Sequence, residues 1–99
     1  MAELSDRARQ LLEKQRQKYL SSLNDKHADL MALLNDRENQ ELELIDAVHR
    51  LAGSAGLHGL TSIQQAAVKA EQVLRDSGAT RAEQSDGVKA VLSLLLNPA

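Results

Sequence analysis

Apolar residues return at helical spacing in one segment after another of this 99-residue chain, and that recurrence confines it to packed helices. Leu44, Val48, Leu51 and Ala55 stand at i, i+4, i+7 and i+11, one narrow stripe on a helix over about residues 39–56. Ile63, Ala67, Ala70 and Leu74 form a second stripe, and Val88, Leu92 and Leu95 a third. Leu30, Leu33 and Leu34 give the inner face of a shorter helix over about 25–34. The residue supply agrees: Leu and Ala dominate while Val, Ile and Thr are few, a balance that favours helix over sheet. Tyr19 is the sole aromatic residue, so the core must be built from Leu, Ala and Val on closely packed helices.

Punctuation residues divide these stripes. Ser5 or Asp6 is suited to cap a first helix reaching about Leu20, with Ala8, Leu11, Leu12 and Tyr19 as its apolar positions. Residues Ser21 to Asp25 read as a break, although nothing there forbids one longer helix through both segments. Asn35 to Asn39 is a polar connector, and Gly59 marks a turn. Thr61-Ser62-Ile63-Gln64 and Thr80-Arg81-Ala82-Glu83 have the form of capping boxes. Gly78 suits a left-handed helix end, Gly87 is an unfavourable residue inside the last helix, and Asn97-Pro98 stops that helix after about Leu96. The expectation is one all-α domain over 1–99. Residues 24–96 form an antiparallel up-down-up-down four-helix bundle, and an additional N-terminal helix lies within 1–23. Leu44, Val48, Leu51, Ile63, Ala67, Leu74, Val88, Leu92 and Leu95 should be buried together.

Several function classes fall away. Without cysteine there are no disulfides or thiolate metal sites. His27, His49 and His58 share no helical face and no HExxH spacing occurs, so no metal site is expected. A net charge of −2 with interspersed signs argues against a nucleic-acid face, including a DNA-reading role for Gln64-Gln65-Ala66-Ala67. No apolar run approaches the roughly 18–20 residues of a membrane span. The start of the chain, Met1 to Asp6, is polar and lacks a signal-peptide apolar region, so a cytoplasmic protein is expected. The run from Gly53 to Gly59 lacks the Gly-Lys-Ser/Thr end of a phosphate loop, and Ser54 has no strand–turn–helix context for a nucleophile.

What remains is His49. At about 100° per residue its side chain points roughly 130° away from the centre of the core stripe, onto the wet side of the third helix. Leu42, Ile45, Asp46, Ala52, Gly53 and Gly56 share that side, so the ring stands over small residues beside two apolar ones. Each interior glycine costs a helix about 0.5–1 kcal/mol relative to alanine. Close approach of another molecule would offset this, and so would close helix packing beneath an ordinary surface histidine. On the next helix Glu71 lies at the edge of the apolar stripe, placed either to reach along the helix–helix seam or to pair with Arg75 four residues on.

The segment His49-Arg50-Leu51-Ala52-Gly53-Ser54-Ala55-Gly56-Leu57-His58-Gly59 resembles the signature of the histidine-containing phosphotransfer (HPt) domains of two-component signalling, His-x-Leu-Lys-Gly-Ser/Ala-Ala-x-x-x-Gly. It departs only at Ala52, where lysine is usual. The likeness spans about Glu41 to Arg75. It implies a phosphocarrier, not an enzyme, in which His49 accepts a phosphoryl group from a receiver domain's aspartyl phosphate and relays it to another receiver. It also implies, from the chemotaxis-kinase branch of the family, a carboxylate at Glu71 that orients the ring. Leu42, Ile45, Asp46, Arg50, Ala52, Gly53 and Gly56 would form the docking surface. The implied partners are receiver domains and a hybrid histidine kinase, with Mg²⁺ on the receiver and no cofactor on this chain. A monomer is expected. The alternatives are a helical adaptor that docks without being phosphorylated, and an oligomerisation module built on the first helix.

Overall fold

The computed structural model describes residues 5–98, and its regular elements over that range are all helices. The expectation for the polar start concerns Met1 to Leu4 as well, which lie outside the described residues. The helices are α1 (Asp6–Ser21), α2 (Leu23–Asn35), α3 (Glu41–Leu57), α4 (Thr61–Arg75) and α5 (Arg81–Leu96). α2 packs on α3, α3 on α4, α4 on α5 and α5 back on α2, a closed ring joined by short connectors. The stripes meet inside it: all nine residues expected in the core are buried, together with Ala55, Ala70 and Val91. Gly87 faces α4 closely: a Cβ there would touch the Cα of Ala70 at 3.4 Å, in ordinary van der Waals contact, so only a side chain larger than alanine would be crowded.

α1 and α2 are separated by one residue, Ser22, which keeps a right-handed helical backbone. Ser21 Oγ donates to the Lys18 carbonyl and Ser22 Oγ to the Tyr19 carbonyl, local bonds that compete with the helix ladder. Of the apolar positions on α1 only Tyr19 is buried; Leu11 and Leu12 are 56% and 52% exposed, because α1 leaves the bundle before reaching a helix that would cover them. Tyr19 ties α1 to the end of α3. Its hydroxyl is 2.6 Å from Ser54 Oγ and its ring stacks on His58 at 4.2 Å.

Two of the expected helix boundaries are corrected. α3 ends in a Schellman motif with Gly59 at φ +74°: the amide of Leu60 donates to the Ala55 carbonyl and that of Gly59 to the Gly56 carbonyl. This places Leu60 at the start of α4, without a side-chain cap, and leaves Thr61 inside the helix, so the first capping box does not form. Gly78 is not left-handed; the Asp76 side chain ends α4 by accepting the Gly78 amide at 2.9 Å. The box at Thr80 and Glu83 does form, with both reciprocal bonds.

At the end of the bundle away from Tyr19, the connector residue Arg37 is only 6% exposed. Its guanidinium forks onto Glu41 at 2.8 and 3.1 Å and also bonds Gln84 of α5. Gln84 in turn donates to the Val73 carbonyl at the end of α4.

Candidate functional site

His49 sits in the middle of α3, whose buried stripe fixes the rotation of the helix and turns the ring outward. The side chain is 64% exposed, while Glu71 on α4 is 17% exposed. Both carboxylate oxygens of Glu71 lie 3.0 Å from His49 Nδ1, and Oε2 also accepts from Arg75 Nε at 2.8 Å. The two readings of Glu71 therefore hold together: it reaches across the seam and pairs with Arg75. The His49 hydrogen bond is the main reason its carboxyl is held below the ordinary carboxylate range; partial burial opposes this and Arg75 adds to it.

The geometry has a direct chemical meaning. A carboxylate at Nδ1 favours the tautomer with its proton there, which leaves the Nε2 lone pair facing solvent. When Nε2 forms a bond to an electrophile the ring gains positive charge, and Glu71 is in place to stabilise it.

The residues expected around the ring divide into three groups. Leu42, Asp46, Arg50 and Gly53 are exposed on the His49 side, with Asp46 and Arg50 paired at 3.0 Å. A Cβ at Gly53 would meet nothing within 4 Å, so its lack of a side chain serves no packing inside the molecule. Ile45 and Gly56 are half-buried towards α4, and a Cβ at Gly56 would overlap the side-chain amide of Gln64. Ala52 is a correction. It is 7% exposed and part of the core, because its position on α3 turns it towards α4, whose packing covers it. It is not an open docking residue, and its methyl is part of the helix seam.

Leu57 and Val68 were not singled out from the sequence. Leu57 is 84% exposed, two turns after His49, and Val68 is exposed one turn before Glu71. Their distances along the helices from His49 and Glu71 carry the signal that would have found them. His27 and His58 stand apart from the site, His58 under Tyr19. Among the described residues no group of His, Cys, Asp and Glu is arranged to hold a metal ion, and no helix is long and apolar enough to cross a membrane.

A family model described as the Hpt domain matches residues 1–97. Neither the curated proteins nor the solved structures gave a match.

Proposed function

The chain belongs to the Hpt domain family, phosphocarrier modules that work with receiver domains and histidine kinases in phosphorelays, and we propose that His49 is its phosphoacceptor. The observation that carries this reading is the exposed ring held at Nδ1 by Glu71, which leaves Nε2 as the free nitrogen. Nε2 attacks the phosphorus of a receiver's aspartyl phosphate. The N–P bond forms, the P–O bond to the aspartyl carboxylate breaks, and that carboxylate leaves as the anion. The ring carries the resulting positive charge against Glu71 until a second receiver's aspartate takes the phosphoryl group in the reverse step. Such transfer depends mainly on positioning and charge stabilisation. The receiver supplies Mg²⁺, and this chain supplies the nucleophile, its orientation and an uncrowded approach over Gly53.

Ala52 bears on the lifetime of the phosphorylated form. With alanine there, no ammonium stands one turn from the ring, and the flanking Arg50 and Arg75 are each paired with a carboxylate. The test is incubation of the chain with phosphorylated receivers of its source organism, followed by mapping of acid-labile, base-stable phosphate. Label on His49, lost in His49→Gln, is the expected result. Binding of receivers with no label on any histidine would replace this reading with that of an unphosphorylated adaptor.

A further inference from the structure

α1 and α2 together form one rod. Ser22 between them keeps helical backbone at φ −86° and ψ −7°, and the Lys26 amide donates to its carbonyl at 3.1 Å. Residues 6–35 span about 44 Å at 1.5 Å each, close to the 50 Å longest dimension of the molecule. At 100° per residue Arg7, Lys14 and Lys18 fall within about 30° of one line along α1, and Asp25, Asp29 and the cap residue Asp36 continue that line on α2. Leu11 and Ala32 stand on the same line, and all eight residues are exposed. Charge therefore divides at the junction of the two helices, with three cations before it and three carboxylates after it. Asp6, Arg9, Glu13 and Arg16 project more than about 90° away from the line. Towards α3 its neighbours are Lys26, which lies over the Tyr19 ring, and Arg50, which is paired with Asp46. Among the described residues none of the six charges on the line is in an ion pair, and Asp36 accepts from the Asn39 side-chain amide at 2.9 Å.

Such a face is complementary to itself. Arg7 and Asp36, Leu11 and Ala32, Lys14 and Asp29, and Lys18 and Asp25 are mirror positions about the Ser21–Ser22 junction. A second copy laid antiparallel along the rod brings the members of each pair together, one from each copy, and the two-fold axis makes every contact twice. We propose that the α1–α2 rod is a homodimerisation surface, an antiparallel pair with its two-fold axis at the Ser21–Ser22 junction. The dimer replaces the monomer expected from the sequence and is independent of the role of His49. A parallel pair would set like charges against each other. A partner or membrane of one sign would match half of the face and be repelled by the other half. The contact strip, about 44 Å by one helix diameter of about 10 Å, is small beside the roughly 800 Å² per partner of a standard interface. Its ion pairs are individually weak and screened by salt, so the dimer is weak and favoured at low ionic strength.

Sedimentation equilibrium of the full chain tests this. The expected result is a dimer at about 0.01 M salt whose dissociation constant rises at least about tenfold at 0.5 M. Arg7→Glu/Lys14→Glu/Lys18→Glu and Asp25→Lys/Asp29→Lys/Asp36→Lys should each be monomeric alone, because each then carries one sign along the whole line. Mixed together they should associate, with circular dichroism confirming that both keep their helices. Since the chain has no cysteine, single introduced thiols report the orientation. A short bismaleimide should join Ser21→Cys chains to each other but not Leu11→Cys chains, whose thiols stand about 32 Å apart along an antiparallel pair. A parent chain that stays monomeric at about 1 mM and 0.01 M salt overturns the proposal. So does a dimer that both charge reversals leave intact, or cross-linking of Leu11→Cys in place of Ser21→Cys.

Discussion

His49 and Glu71 stand 22 positions apart and meet at one nitrogen, with both carboxylate oxygens 3.0 Å from Nδ1. Removing the carboxylate should release the ring to sample both tautomers. In Glu71→Ala, nitrogen NMR of the neutral ring should show the proton shared between Nδ1 and Nε2, whereas the parent should hold it on Nδ1, and transfer should slow by about 10-fold or more. Unchanged spectra and rates would reduce Glu71 to the partner of Arg75.

The same contact makes stability depend on acid. The folded-state pKa of Glu71 lies below its unfolded value, chiefly through the hydrogen bond to His49. Its contribution is therefore complete above the ordinary carboxylate range and is lost as pH falls through the lowered folded value. Glu71→Gln should flatten this acid limb, and denaturant unfolding of both proteins from pH 7 to pH 3 measures it. An equal loss of stability in both would assign the limb to other carboxylates, Glu41 beside Arg37 among them.

The three histidines should separate cleanly. His49→Gln should abolish phosphate acceptance with little change in melting temperature, since the ring is mostly exposed. His27→Gln should preserve both. His58→Gln should keep acceptance of phosphate from a small donor but lose about 0.5–1.5 kcal/mol, because its ring stacks on Tyr19. Phosphoramidate labelling and thermal melts on the same preparations check all three.

Gly53 and Gly87 should respond in opposite directions. The space around Gly53 is open, so Gly53→Leu should hold or raise stability by up to about 1 kcal/mol while sharply reducing transfer from a receiver. Gly87→Leu should destabilise by about 1–3 kcal/mol, because the backbone of Ala70 already stands against that position. Destabilisation by Gly53→Leu would make its effect on transfer a folding effect.

The core and the rotation of α3 were legible in the sequence because a stripe such as Leu44, Val48, Leu51 and Ala55 leaves one way to bury itself. The outward placement of His49 followed from that rotation; its role, like that of Glu71, came from the resembled family. Legibility failed wherever the answer depended on a neighbouring element. Leu11 and Leu12 have helical spacing, but spacing does not say whether another helix is present to cover them. Ala52 borders the core stripe, and only the packing of α4 decides that it is buried. Arg37 reads as a connector residue because its partner Gln84 is 47 positions away. Thr61 has the pattern of a cap, yet the turn at Gly59 hands that position to Leu60.

That long-range contact has a kinetic consequence. Three of the four helix pairs in the ring join sequence neighbours across a few residues, whereas α2 and α5 meet only when the chain between them has condensed. Closing so long a loop costs the most entropy and comes late in folding. Interactions formed after the rate-limiting barrier lengthen the life of the native state without hastening its formation. Arg37 bonded to Gln84 is thus a latch on the folded chain. In a chevron of Arg37→Met the refolding arm should barely move, while unfolding should accelerate roughly tenfold for each 1.4 kcal/mol or so of stability lost. A shift of the refolding arm alone would instead place this end of the bundle in the folding nucleus.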